Sequence, residues 1–63
     1  MQETRIMYLK SANTYRVDLG YISYPISRQE AGELLAKWVL DRDCSVSYFE
    51  NDETKNWFIK QEG

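Results

Sequence analysis

Histidine is absent from this chain, cysteine occurs once, at Cys44, and proline once, at Pro25. Without an imidazole the usual base for activating a Ser or Cys nucleophile is missing, and a single thiolate is too few ligands for a structural zinc site. A lone cysteine also excludes an intrachain disulfide. No apolar run approaches the roughly 18 residues of a membrane-spanning helix, and Met1 is followed by no basic-then-apolar leader. The expectation is a cytoplasmic, non-enzymatic protein with no cofactor, no metal, no small-molecule substrate and no membrane partner.

What the chain has is aromatic side chains, nine among 63 residues. A length of 63 fits one domain, 1–63, whose core is small, so folding alone is only marginally favourable. With disulfides and metals excluded, the compensation must come from aromatic packing or from self-association. The density of rings also argues against disorder, although 29% of residues are charged.

Charge is unevenly distributed. Residues 1–28 hold four cations against two carboxylates, whereas 29–63 hold four against eight, for an overall net charge of −2. An acidic chain is a poor general binder of nucleic acid. The acidic second half suits a basic partner, although charge runs on small domains are commonly solvated faces.

Ser27-Arg28-Gln29-Glu30 has the spacing of a capping box, with Ser and Glu three residues apart ahead of an apolar run. Ala31, Leu34, Leu35, Trp38 and Val39 then recur at helical spacing and predict one buried helix face. Before it, Arg5–Lys10 and Tyr15–Leu19 are β-prone runs around Ser11-Ala12-Asn13-Thr14, a first hairpin, with a bend expected at Gly20. After it, Cys44–Phe49 and Asn56–Lys60 flank a polar tip, a second hairpin. The fold class read from this pattern is α+β: ββαββ, a four-stranded antiparallel sheet with one helix packed on one face.

One helix covers one side of such a sheet, so the other side stays open. Pairing Tyr48 with Trp57 sends Phe49 and Phe58 outward, and placing Met7, Leu9, Tyr15 and Val17 under the helix sends Ile6 and Tyr8 outward too. The expected contact surface is Ile6, Tyr8, Phe49 and Phe58 on the open face, with Glu50, Asp52 and Glu53 on the acidic hairpin. A contiguous aromatic and aliphatic patch with a polar rim is the composition of a protein interface. The function expected is a protein-interaction module, an inhibitor or adaptor of the size and charge common among phage-encoded inhibitors. Its partner would be a larger macromolecule, itself, or both, the chain forming a homodimer.

The alternative is a single-stranded nucleic-acid binder that uses Arg5, Tyr8, Lys10, Tyr15 and Arg16, because bases stack on rings while phosphates meet cations. Structural tyrosines with snorkelling Arg and Lys account for the same residues. Asp41, Asp43, Glu50 and Asp52 carry no catalytic spacing beyond that of ordinary helix-end and turn acids. Gly32 and Ala36, four residues apart, form a small-residue flank on the helix, and with Leu40, which projects nearly opposite the core stripe, they make a second candidate contact.

Overall fold

In the computed structural model, which describes residues 4–61, the capping box forms as the spacing predicts. Ser27 Oγ accepts from the Glu30 N–H at 3.0 Å, and Glu30 Oε1 accepts from the Ser27 N–H at 3.2 Å. A cap of this kind contributes about 1 kcal/mol. It starts α1, Arg28–Ala36, which runs on into a π-helical turn at Lys37–Asp41.

The expected stripe holds through Trp38 and fails at Val39. Ala31 and Trp38 are buried, with Leu34 and Leu35 packed beside them, but Val39 is 41% exposed and Leu40 77% exposed. A π turn accommodates more residues per turn than an α turn, which shifts the phase of the residues that follow and swings Val39 off the core.

The sheet has five antiparallel strands, against the four expected: β1 Thr4–Leu9, β2 Thr14–Asp18, β3 Ser23–Ile26, β4 Cys44–Glu50 and β5 Thr54–Gln61. The order βββαββ therefore replaces ββαββ, and across the sheet the strands run β3-β2-β1-β5-β4. The additional strand is Ser-Tyr-Pro-Ile, where the proline suggests an approach to the helix. Gly20, at φ 93°, and the bond from its N–H to Asp18 Oδ1 at 2.9 Å reverse the chain, so this segment lies along β2.

Because β3 and β4 are the two edge strands, α1 and the π turn cross the whole sheet to join them. Nine plus five helical residues rise about 21 Å, and four inter-strand gaps span about 19 Å, so the lengths match. The core lies under this crossing: Ile6 and Val17, both 0% exposed, pair with each other and pack with Ala31 and Trp38.

The register of the second hairpin is the expected one, Tyr48 opposite Trp57 and Val46 opposite Ile59. In the first hairpin the facing of β1 is reversed. Leu9 pairs with Thr14 across the four-residue loop Lys10–Asn13, so Ile6 meets Val17 and Tyr8 meets Tyr15. An even-numbered loop pairs odd with even positions, which puts Ile6 and Tyr8 on the helix side and Met7 and Leu9 on the open side. The loop closes through Asn13 at φ 51°, a left-handed position that Asn tolerates.

Among the described residues no helix is long and apolar enough to cross a membrane.

Candidate interaction surfaces

Strand alternation and register assign every strand residue to one side of the sheet. The open side carries, in one row, Pro25, Arg16, Met7, Asn56 and Phe49, and in the next Ser23, Asp18, Arg5, Phe58 and Ser47. Phe49 is 55% exposed, while Phe58, Met7 and Leu9 are half-buried among their neighbours. Asn56 is only 5% exposed in the middle of this face; its Nδ2 donates to Thr54 Oγ1 at 3.0 Å and to the Phe49 carbonyl at 3.5 Å. An amide satisfied in this way ties Phe49 to β5 from the open side.

Electrostatically the open side is the reverse of the chain as a whole. Among the described strand residues it holds three cations, Arg5, Arg16 and Lys60, against one carboxylate, Asp18. Arg5 Nε lies 3.4 Å from Asp18 Oδ2, and its guanidinium is 6.0 Å from the centre of the Phe58 ring. Arg16 donates to Ser23 Oγ at 3.4 Å. The face is thus an apolar patch with an excess of two positive charges, in a chain of net charge −2.

On the helix side, rings from four strands form a chain. Tyr8 and Tyr15 are 4.6 Å apart between centroids, Tyr15 and Trp57 6.4 Å, and Trp57 and Tyr48 5.4 Å. Offset and tilted contacts of this kind contribute beyond their area. Tyr48 ends the chain at the sheet edge, 52% exposed. The Lys55 ammonium lies 5.9 Å from the Tyr8 ring centre.

The acidic hairpin tip is built by Asn51, whose Oδ1 accepts from the N–H groups of Glu53 at 2.9 Å and Thr54 at 2.7 Å. Lys10 clamps it from two strands away: its Nζ sits 2.7 Å from Glu50 Oε2 and 2.8 Å from the Asn51 carbonyl. Tyr48 donates to the other oxygen, Glu50 Oε1, at 2.8 Å. The hydrogen bond from Lys10, then that from Tyr48, hold the Glu50 carboxyl below its ordinary titration range. Partial desolvation, and then the bond to Glu50, push the Tyr48 phenol up. Asp52 and Glu53 stay exposed at the tip.

The expected contact set therefore divides. Phe49 and Phe58 share the open side; Ile6 is fully buried in the core and cannot line any surface; Tyr8 and Glu50 belong to the helix side. The nucleic-acid set divides as well, with Arg5 and Arg16 on the open side and Tyr8 and Tyr15 on the other, where Lys10 is engaged with the tip. Sequence reasoning placed Lys60 on the same side as Phe49 and Phe58, but missed Met7 and Leu9 as their companions, and Trp57 and Tyr48 as companions of Tyr8. The signal was in the parity of the loop: Ser11–Thr14, like Lys10–Asn13, has four residues, and an even loop puts Ile6 and Tyr8 on the side of Val17 and Met7 and Leu9 on the other.

On the helix, Gly32, Ala36 and Leu40 are all exposed, and a Cβ at Gly32 would meet nothing within 4 Å. Packing within the chain thus gives no reason for this glycine, which costs about 1 kcal/mol relative to Ala. Among the described residues no group of three or more His, Cys, Asp or Glu side chains is placed to hold a metal ion. Compared with protein-family models, curated proteins and solved structures, the chain finds no match.

Proposed function

We propose that this chain is a non-enzymatic protein-interaction module, an inhibitor or adaptor that occupies a surface of a larger protein with its open sheet side. The observation that carries this reading is the pairing of an uncovered apolar patch, Met7, Leu9, Phe49 and Phe58, with an excess of cations on the same side. Such a patch suits a partner that offers apolar groups opposite the rings and carboxylates opposite Arg16 and Lys60. The exposed acids Asp52 and Glu53 lie at the rim, where they would steer orientation more than add affinity.

The co-location of Arg5, Arg16, Lys60, Phe49 and Phe58 also favours a second reading, a platform for single-stranded nucleic acid. Two features weaken it. Arg5 is paired with Asp18, and its guanidinium stands over Phe58, where a base would stack.

Phe58→Glu puts a carboxylate at the centre of the patch without touching the helix-side core. Captured from a lysate of its native host, a protein partner retained by the wild type should be lost by Phe58→Glu while circular dichroism stays unchanged. A folded Phe58→Glu protein that keeps the same partner refutes the open-side reading. Binding to an oligothymidine that falls steeply with added salt establishes the second reading instead.

A further inference from the structure

Two main-chain bonds fix which groups of β4 are unpaired. The Lys10 N–H donates to the Glu53 carbonyl at 2.9 Å, and the Asn51 N–H to the Thr54 carbonyl at 2.9 Å. Antiparallel strands bond through alternate residues, so odd-numbered residues of β5 turn toward β1 and even-numbered ones toward β4. Their partners on β4 are Ser45, Ser47 and Phe49. The N–H and C=O groups of Cys44, Val46, Tyr48 and Glu50 consequently point away from the sheet, along an edge seven residues long with no proline, glycine or lysine in it.

The geometry points to a second copy of this chain as the occupant of that edge, paired antiparallel about Ser47 in one continuous ten-stranded sheet. In this register Val46 of each copy meets Tyr48 of the other, and Cys44 meets Glu50, so all four outward residues of one strand find all four of its partner. Registers shifted by two residues leave some of them unmatched. The same two-fold axis, perpendicular to the sheet, keeps both helices on one side.

Charge favours this seam over a face-to-face dimer. Two open sides, each with an excess of two cations, would repel. Along the seam no like charges are opposed, because Glu50 of each copy meets the uncharged Cys44 of the other. Area sets the strength. A seven-residue strand is roughly 24 Å long, and a seam of that length, with Tyr48 and Phe49 flanking it, falls short of the roughly 1,200 Å² of stable interfaces. The dimer is therefore a weak one, to be read at about 0.1–1 mM.

The seam does not rest on the open-side reading, and one cross-link tests it separately. Ser47 faces its own copy across the axis as a non-hydrogen-bonded pair, with Cα atoms about 4.5 Å apart, inside the span a disulfide bridges. Two Ser45 residues, four positions out of step, lie roughly 14 Å apart along the strands. Cys44→Ser/Ser47→Cys protein at 0.5 mM in a glutathione redox buffer should form a disulfide dimer at least tenfold more than Cys44→Ser/Ser45→Cys. Adding Val46→Pro, which deletes an outward N–H and no bond to β5, should reduce that cross-link at least tenfold. Ser47→Cys protein that stays monomeric, or cross-links no better than Ser45→Cys, overturns the seam. So does a folded Val46→Pro variant that cross-links undiminished.

Discussion

Along β3 the outward positions are Ser23 and Pro25, whereas along β4 they are Cys44, Val46, Tyr48 and Glu50. The assignment for β3 follows from the Leu19 N–H bond to the Ile22 carbonyl at 2.8 Å, which sets Ile22, Tyr24 and Ile26 against β2. One edge is thus four residues long and has proline at an outward position, leaving a single free N–H; the other is seven long and leaves four. Proline and shortness are how natural sheets block pairing at an edge. A sheet with two open edges can add copies without limit, whereas one with a single open edge closes after two. The asymmetry of this chain is the pattern that permits a dimer and prevents a fibre.

The largest expected effect tests whether the two edges belong to one rigid sheet at all. Trp38 is the largest side chain in the buried cluster, at 8% exposure, and it sits in the turn of the crossover just before β4. Trp38→Ala should cost about 3–5 kcal/mol, a large share of the stability expected for 63 residues. Thermal unfolding followed by circular dichroism reads this. A melting temperature equal to that of the wild type would mean that the crossover is not anchored on the sheet and that the edges are not held as described.

Next in size is an effect on assembly. Pro25→Thr restores an outward N–H on β3 and a β-favouring side chain, so both edges become competent to pair. At about 0.5 mM, sedimentation should then show species larger than a dimer, where the wild type shows monomer and dimer alone. If Pro25→Thr assembles no further than the wild type, the length of β3 and not its proline protects that edge.

Much of this architecture was legible in the sequence, and the parts that were not have physical causes. The capping box at Ser27 and Glu30 fixed the start of α1 because its two bonds are local. The second hairpin was legible because Tyr48, Val46, Trp57 and Ile59 align in one alternation around a polar tip. The facing of β1 was legible but misassigned: a four-residue loop, whether Ser11–Thr14 or Lys10–Asn13, pairs odd with even positions, so Met7 and Leu9 cannot share a side with Tyr15 and Val17. β3 was missed because Pro25, two residues ahead of the helix cap, reads as an extended turn into the helix, although at an edge its missing N–H costs no ladder bond. The candidate surface inherited the first of these errors: Ile6 left it for the core, Tyr8 for the helix side, and Met7 and Leu9 joined it.

The smallest expected effect concerns the far end of β4. Glu50 is held below the ordinary carboxylate range by Lys10 and Tyr48, so its bridge to Lys10 is fully formed above that range. A group whose folded pKa is depressed contributes stability that is lost as pH falls through the folded value, so acidification should loosen the tip. The loosening should be confined to one edge. Hydrogen exchange of the Asn51 N–H, which bonds across the tip to the Thr54 carbonyl, should quicken relative to the intrinsic rate as Glu50 becomes protonated. The Met7 N–H in the middle of the sheet, whose strand neighbours Ile6, Tyr8, Arg16 and Asn56 carry no carboxylate, should keep its protection. Lys10→Gln should raise the midpoint of the Glu50 carboxyl resonance toward the ordinary range, the Tyr48 bond remaining, and leave the tip loosened at neutral pH. A wild-type Glu50 that titrates in the ordinary range would show that Lys10 does not hold this end of β4 in solution.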